Sequence, residues 1–465
     1  MSNRILPLSA LLLTGCTLAP NYERPVAPVP TSFPAGPSYA ADYAALPSAD
    51  YRTLFADERL QKLIAQALEN NRDLRIAAAN IARARAQFKV QRAALLPQVD
   101  AGADIIRREG GTTGDGTSAA ADLSITSYEI DLFGRIRSLT DAARNSYLAS
   151  EADAQAIRLA LIGDITDVWL THAADGDLLE IGTATATAAQ DSVRLTQARL
   201  SGGVAPRTDL RQAQTILATA QSDVARATTA LAQDRNLIEL LVGAPIDPAL
   251  LPASLNDAAP RIGEPSVALS SEVLLRRPDI MAAEYDLRAA NAQIGAARAA
   301  LFPRITLGGL IGLVGPSLEA LFGDRGTQSA QGSAGATYPI FTAGAGRANV
   351  AATQAQRDAL LATYEKAIQT GYRETADALA RRGTIADQIA ADRLRVEASE
   401  DTLMLANARY RGGVDSFLQA LDAQRTSYAA RRNLVATELE AARNRVTLYR
   451  ALGGETAGAD AGSTR

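Results

Sequence analysis

Chemically reactive side chains are what this sequence has least of. Its 465 residues include one cysteine, one histidine and one tryptophan, and aromatics make up 5%. A lone cysteine, Cys16, excludes an internal disulfide framework and any cysteine-based metal cage. A lone histidine, His172, removes most zinc sites and histidine triads; it stands near Trp169 on a long helical tract and reads as structural. No paired acid and base or activated nucleophile emerges, so an enzyme is not expected. Charge is nearly balanced, 47 basic against 51 acidic residues, which leaves no concentrated basic surface for nucleic acid. No stretch reaches 18 consecutive apolar residues, so no transmembrane helix is expected.

What is there begins with a leader. Arg4 supplies a positive charge, Ile5 to Leu13 a short apolar stretch, and Leu13-Thr14-Gly15-Cys16 closes it in a pattern that resembles the bacterial lipobox. Residues 1–15 therefore read as a lipoprotein signal peptide and Cys16 as the lipidated first residue of an exported chain. The covalent lipid is the only non-protein group expected, with no metal or other cofactor.

Prolines divide the rest. Eight of the 19 fall between Pro7 and Pro47 and six between Pro245 and Pro278, while Gln98 to Ala205 and Phe341 to Arg465 contain none. Proline costs ~3 kcal/mol inside a helix, so the proline-free tracts are candidates for long helices. The two halves repeat each other. A shift of 206 superposes Asp73 on Asp279, Gln87 on Gln293 and Leu96-Pro97 on Phe302-Pro303. A shift of 210 superposes Tyr128 on Tyr338, Gly202-Gly203-Val204 on Gly412-Gly413-Val414, and Gly243 on Gly453. Ordered matches along a whole half mark a duplicated unit.

Periodicity changes twice within each unit. Asp57 to Leu96 and Ser271 to Phe302 read as helices, each ended by its proline. Val99, Ala101, Ala103 and Ile105 then alternate with Asp100, Gly102 and Asp104, as Ile305 to Leu313 do in the second half, and returning strands fall near 122–132 and 330–341. A helix from about Ile136 to Leu200 would be ~97 Å long, with bending expected near Asp175-Gly176-Asp177. Beyond the Gly-Gly turn, Leu210, Leu217, Val224, Leu231 and Ile238 recur every seven residues, with Ala213, Ala220 and Ala227 three residues after the first three, as in a coiled-coil seam. The organisation predicted is an extended segment (16–56), a first repeat (57–243, hairpin 98–132, helical pair 136–242), a linker or equatorial segment (244–270), a second repeat (271–454, hairpin 304–341, helical pair 345–453) and a flexible tail (455–465).

Strands of about ten residues can cross an outer membrane when tilted. Four strands cannot close a barrel, and a membrane tolerates no open edge, so several chains must share one. Three would supply twelve strands. Cys16-Thr17-Leu18-Ala19-Pro20-Asn21-Tyr22-Glu23-Arg24-Pro25, Leu275-Arg276-Arg277-Pro278-Asp279-Ile280, Tyr410-Arg411-Gly412-Gly413-Val414, Leu421-Asp422-Ala423-Gln424-Arg425 and Leu448-Tyr449-Arg450-Ala451-Leu452-Gly453-Gly454 carry a resemblance over nearly the whole mature chain. It is to the TolC/OprM-like outer-membrane efflux channels, in their lipoprotein (NodT-type) branch. The resemblance implies a mixed α and β membrane protein: a homotrimer with a twelve-stranded β-barrel, four strands per chain, above a long periplasmic α-helical barrel. It implies a passive duct in the outer-membrane lipid, exporting small molecules for an inner-membrane transporter of the RND type through a periplasmic adaptor. The competing reading is a lipid-anchored coiled-coil adaptor or scaffold without a barrel; the alternating strands argue against it.

The resemblance also implies roles for single residues. Leu418 and Asp422, four apart on one helix face, match rings that narrow the periplasmic aperture. Tyr410 and Asp209 match a pair linking the two helical hairpins. Asp415 stands where relatives carry a basic partner, with Arg411 as a substitute. The tips around Gly202, Gly203 and Val204 and around Gly412, Gly413 and Val414 would meet the adaptor.

Overall fold

The computed structural model describes residues 17–39, 50–110, 116–265, 270–321, 323 and 326–454. The signal peptide, Cys16 and the 455–465 tail lie outside them. In chain order the helices are α1 (Tyr51–Leu54), α2 (Glu58–Asn70), α3 (Arg72–Ala93), α4 (Arg135–Ser201), α5 (Arg207–Val242), α6 (Leu255–Ala258), α7 (Pro278–Ala299), α8 (Leu318–Leu321), α9 (Ala345–Arg411) and α10 (Phe417–Ala451). The strands are β1 (Asp100–Arg108), β2 (Gly116–Ile130), β3 (Arg304–Gly315) and β4 (Thr327–Thr337). The duplication is plain in this order: α3-β1-β2-α4-α5 is repeated by α7-β3-β4-α9-α10, and α4 and α9 are each 67 residues long.

Two expected helices are interrupted, each for a local reason. The tract from Asp57 breaks at Asn71, whose backbone is extended; its side chain donates to Leu241 O at 2.8 Å and accepts from the Leu74 amide at 3.0 Å, capping α3. The tract from Ser271 starts as a 3-10 turn to Arg276, because Pro278 forces Arg277 out of helical geometry. By contrast, α4 runs through 175–177, the place of expected bending, as one uninterrupted helix. Its glycines are places of close approach. A Cβ on Gly163 would lie 2.4 Å from the Arg450 side chain, one on Gly176 2.5 Å from Ala253 O, and one on Gly182 3.2 Å from Val224.

The chain forms two compact units. The first (the described residues within 17–26, 79–152 and 282–365) contains all four strands. They form a single antiparallel sheet in the order β1-β2-β3-β4, with a bulge in β2 between Ile125 and Tyr128. The two predicted hairpins are thus joined by β2–β3 pairing, and β1 and β4 are the edges.

The second unit (the described residues within 27–78, 153–281 and 366–454) holds the main core. Leu60, Leu63 and Ile64 of α2 pack with Ile162, Ile165, Trp169 and Leu170 of α4, all at most 1% exposed. The tract read as a linker belongs to this core: Ile246, Leu255, Ala258 and Ile262 are buried in it. Trp169 Nε1 donates to Leu250 O at 3.0 Å, and Arg445 donates to Ala259 O and Ile262 O. Prolines there shape a folded segment rather than a free tether. The described part of the N-terminal segment is likewise fixed, by bridges of Ser32 with Ser270 and Phe55 with Ile262, and it includes α1. Along α5 the heptad seam is buried at both ends, at Leu210 and Ile238, and at its small residues Ala213, Ala220 and Ala227, while Leu217, Val224 and Leu231 are half-buried.

Candidate functional site

Two surfaces carry the functional evidence, the sheet of the first unit and the paired helix tips of the second. In the sheet, cross-strand partners share a face. Register places Ala101, Ala103 and Ile105 of β1 with Ala119, Ala121, Leu123 and Ile125 of β2, Leu307, Ile311 and Leu313 of β3, and Ala330, Ala334 and Ala336 of β4. That face is apolar for most of its height and exposed, with Ile105, Leu123 and Ile311 more than half accessible. Its polar members, Arg107, Thr117 and Gln328, gather at the loop end. The opposite face carries Asp100, Asp104, Asp122, Ser124, Thr306, Ser329, Gln331 and Ser333, with Ile106, Leu310 and Val314 among them. Such a two-sided sheet suits lipid on one side and water on the other.

Near the other end of the sheet, Glu129 accepts from Arg135 at 2.8 and 2.6 Å and pairs with Arg304 at 3.3 Å, while Phe133 and Phe302 stack at 4.8 Å. The N-terminal segment docks in the same unit. Thr17 Oγ1 meets Ser138 Oγ at 3.4 Å, Arg298 donates to Leu18 O, and Asn291 donates to Pro20 O at 2.7 Å. Farther along, buried Glu284 collects Tyr22, Arg24 and Arg288. Burial raises the Glu284 carboxyl pKa, but the hydrogen bonds from Arg24 and Arg288 outweigh it and hold the group below its ordinary value. Cys16 itself is outside the described residues; its neighbour Thr17 sits at the start of α4, close in sequence to the end of β2.

The helix tips are copies of one another. Gly203 and Gly413 both adopt φ +74°, a left-handed conformation that favours glycine. The amides of Val204 and Val414 donate to Arg199 O and Arg409 O, closing each helix end. Gly202 and Gly412 donate to Ala198 O and Ala408 O. Val204 and Val414 project into solvent at 77% and 67% exposure.

Leu418 and Asp422 are both exposed and share one face of α10, as their spacing predicts. With Arg395, Arg425, Tyr428 and Arg432 they line a groove of about 870 Å³ that α5 also borders. The tie between hairpins differs from the expected one. Tyr410 is buried against Phe417 (centroids 5.3 Å apart), yet its hydroxyl makes no hydrogen bond, so the Tyr410–Asp209 bond is not formed in this chain. Arg199 supplies the tie instead: its guanidinium lies 4.4 Å from the Tyr410 ring centroid and donates to Tyr410 O at 3.3 Å and Arg411 O at 3.4 Å. Asp415 turns back to its own hairpin, accepting from Arg409 Nη2 at 2.9 Å; that bond holds its carboxyl pKa below the ordinary value. Arg411 makes no ion pair among the described residues, and the basic group across the hairpins is Arg199. The repeat already marked Arg199, since the 210 shift superposes it on Arg409.

A second cross-hairpin tie escaped the sequence reading. Asp223 of α5 accepts from Tyr428 Oη at 2.7 Å and from Arg432 at 3.3 Å, both on α10, and pairs with its own neighbour Arg226 at 2.8 Å. Burial and then the bond to Asp223 push the Tyr428 hydroxyl up to about 12. No spacing rule joins residues 205 positions apart, so only folding exposes this link. No group of three or more His, Cys, Asp or Glu residues is arranged to hold a metal among the described residues. No described helix is long and apolar enough to cross a membrane.

Known proteins share this arrangement along its whole length. The outer membrane efflux protein family matches residues 63–244 and again 269–454, once per repeat. The solvent efflux pump outer membrane protein SrpC of Pseudomonas putida is 40% identical over 98% of this chain and 98% of its own. Outer membrane protein OprJ of Pseudomonas aeruginosa is 39% identical over 96% and 94%. Among solved structures, CusC superposes with a TM-score of 0.84 at 34% identity over 94% of this chain and 100% of its own. The open state of the MtrE outer membrane channel of Neisseria gonorrhoeae gives 0.83 at 34%, over 95% and 99%. The chain belongs to the outer membrane efflux protein family.

Proposed function

We propose that this chain is the outer-membrane component of an efflux pump, a passive duct through which small molecules leave the cell. The observation that carries this reading is the sheet: one face apolar, the other polar, and both edge strands unpaired within the chain. An unpaired edge in hydrocarbon leaves backbone N–H and C=O groups without partners, each costing several kcal/mol. Copies of the chain therefore supply the missing partners, β4 of one against β1 of the next. Three copies make a twelve-stranded wall, within the range of membrane barrels. Relatives named as solvent efflux pump outer membrane proteins, and structural neighbours named as outer membrane channels, agree with this assignment.

The finer parts of the reading follow. Leu418 and Asp422 ring the periplasmic aperture. The glycine turns at Gly202-Gly203 and Gly412-Gly413, with Val204 and Val414, face a periplasmic adaptor, which joins the duct to an inner-membrane transporter of the RND class. Cys16 carries a lipid in the outer membrane. Cross-linking and native mass measurement of the protein extracted from outer membranes test the assembly: trimers are expected, and a stable membrane-inserted monomer would overturn it. Palmitate labelling of Cys16→Ser tests the anchor; labelling that persists refutes it.

A further inference from the structure

The base of the sheet holds a cavity that neither the apolar face nor the helix tips account for. It measures about 760 Å³, within the range of small-molecule sites. Register sets it on the polar side of the sheet: Glu129 lies across from Thr306, and Arg304, on the same face as Thr306, lies across from Thr337. The acids lining it are committed. Glu129 takes both donors of Arg135, at 2.8 and 2.6 Å. Asp131 accepts from the Arg137 amide at 2.9 Å and from Arg137 Nε at 3.2 Å. Arg304 is left as the surplus charge. It reaches Glu129 through Nε at 3.3 Å, its guanidinium has no other partner among the described residues, and its side chain is 55% exposed. Phe302 lines the same cavity, stacked on Phe133 with the rings 22° from parallel, and is itself 43% exposed. An open guanidinium and an open ring, two residues apart in the chain, thus share one cavity.

We propose that this cavity is a transit site for aromatic carboxylates, with Arg304 pairing the carboxylate and Phe302 packing the ring. The proposal rests on the reading of the chain as a duct, since the cavity then opens on its water-filled side. A guanidinium presents its N–H donors in a fixed fork that matches a carboxylate. The Arg135 fork is filled by Glu129, whereas the Nη donors of Arg304 make no hydrogen bond among the described residues. The exposed face of Phe302 adds apolar area that a flat ring covers well. A neutral ring lacks the ion pair and a small anion lacks the ring contact, so the pair of groups selects molecules that carry both. Charge along the wall gives the site a use. Farther up, the same face carries Asp100, Asp104 and Asp122, with Arg108 only at the loop end. Like charge there repels an organic anion, and a cation at the foot of the sheet offsets that repulsion. One half-exposed arginine holds the anion weakly, as passage requires: binding must favour entry and still permit exit.

The test uses the full-length protein in planar bilayers with benzoate as the probe. Benzoate should lower the single-channel current in a concentration-dependent way, at concentrations where acetate and benzyl alcohol leave it unchanged. Arg304→Gln should raise the half-blocking concentration roughly tenfold, the loss expected of one charge-assisted hydrogen bond. Arg304→Lys should raise it by less, because the charge stays and only the fork is lost. Phe302→Leu should raise it as well, since leucine keeps apolar bulk and removes the ring face. Each variant is read against its own unblocked current, and either position carries the test if a variant at the other fails to insert. Channels that conduct but ignore benzoate, equal block by acetate or by benzyl alcohol, or unchanged block in both Arg304→Gln and Phe302→Leu would overturn the site and leave the duct standing. Inserted protein that conducts nothing, even with its tips freed by Arg199→Ala, would overturn the duct reading and the site with it.

Discussion

Arg199 and Tyr410 lie in different repeats, 211 residues apart, and meet with the guanidinium 4.4 Å from the ring centroid. The contact ties the helix tip of one hairpin to that of the other. It works through the ring face and main-chain carbonyls, and leaves the phenol hydroxyl unbonded.

That geometry sets the order of effects at the tips. Tyr410→Phe should leave single-channel conductance in planar bilayers unchanged, because the hydroxyl it removes makes no bond. Arg199→Ala should raise conductance by freeing the tips; a cation over a ring contributes roughly 0.5–2 kcal/mol, repeated in each copy. Tyr428→Phe combined with Asp223→Ala should add to the effect. A large change from Tyr410→Phe and none from Arg199→Ala would restore Tyr410–Asp209 as the tie.

The aperture assignment separates charge from bulk. Asp422→Ala should reduce cation preference and weaken block by multivalent cations, since it removes a ring of carboxylates. Leu418→Ala should widen the pore and leave ion preference alone. Reversal potentials and conductance of the two variants check this. If both behave as the parent, the constriction lies elsewhere.

The sheet predicts a contrast between its faces. Ile311→Arg puts a charge on the apolar face and should cost about 2–4 kcal/mol if that position lies at the bilayer midplane. Gln331→Arg, on the polar face, should be tolerated. Heat resistance of the assembled protein on gels, read for both variants, decides. Equal tolerance would argue that the apolar face does not meet lipid.

Acid should loosen the N-terminal segment from α7. The Glu284 carboxyl is held below its ordinary value of 4.5, so its contribution is present above that pH and lost as pH falls below it. Limited proteolysis between Thr17 and Val26 should therefore speed up on acidification in the parent. In Glu284→Gln, cleavage should already be fast at neutral pH and change little with acid. An acid response identical in parent and variant would assign the effect to other groups.

Much of this molecule follows from local pattern. The single cysteine and histidine, the alternation from Ala101 to Ile105, the proline-free tracts and the paired Gly-Gly turns fix the class of protein, the two repeats and the tips, because each depends on residues near one another in the chain. The faces of the sheet were legible for the same reason, since strand periodicity is two. What the tertiary structure alone decided depends on groups brought together across long separations. β2 joins β3 because the two hairpins meet in one sheet, and the proline-rich 244–265 tract enters the core because Trp169 offers Leu250 a hydrogen bond. Arg199 rather than Arg411 reaches Tyr410, and Asp223 rather than Asp209 accepts the tyrosine bond across the hairpins. These outcomes turn on distances of a few ångströms between residues that are 81 or more positions apart, and no local pattern encodes them.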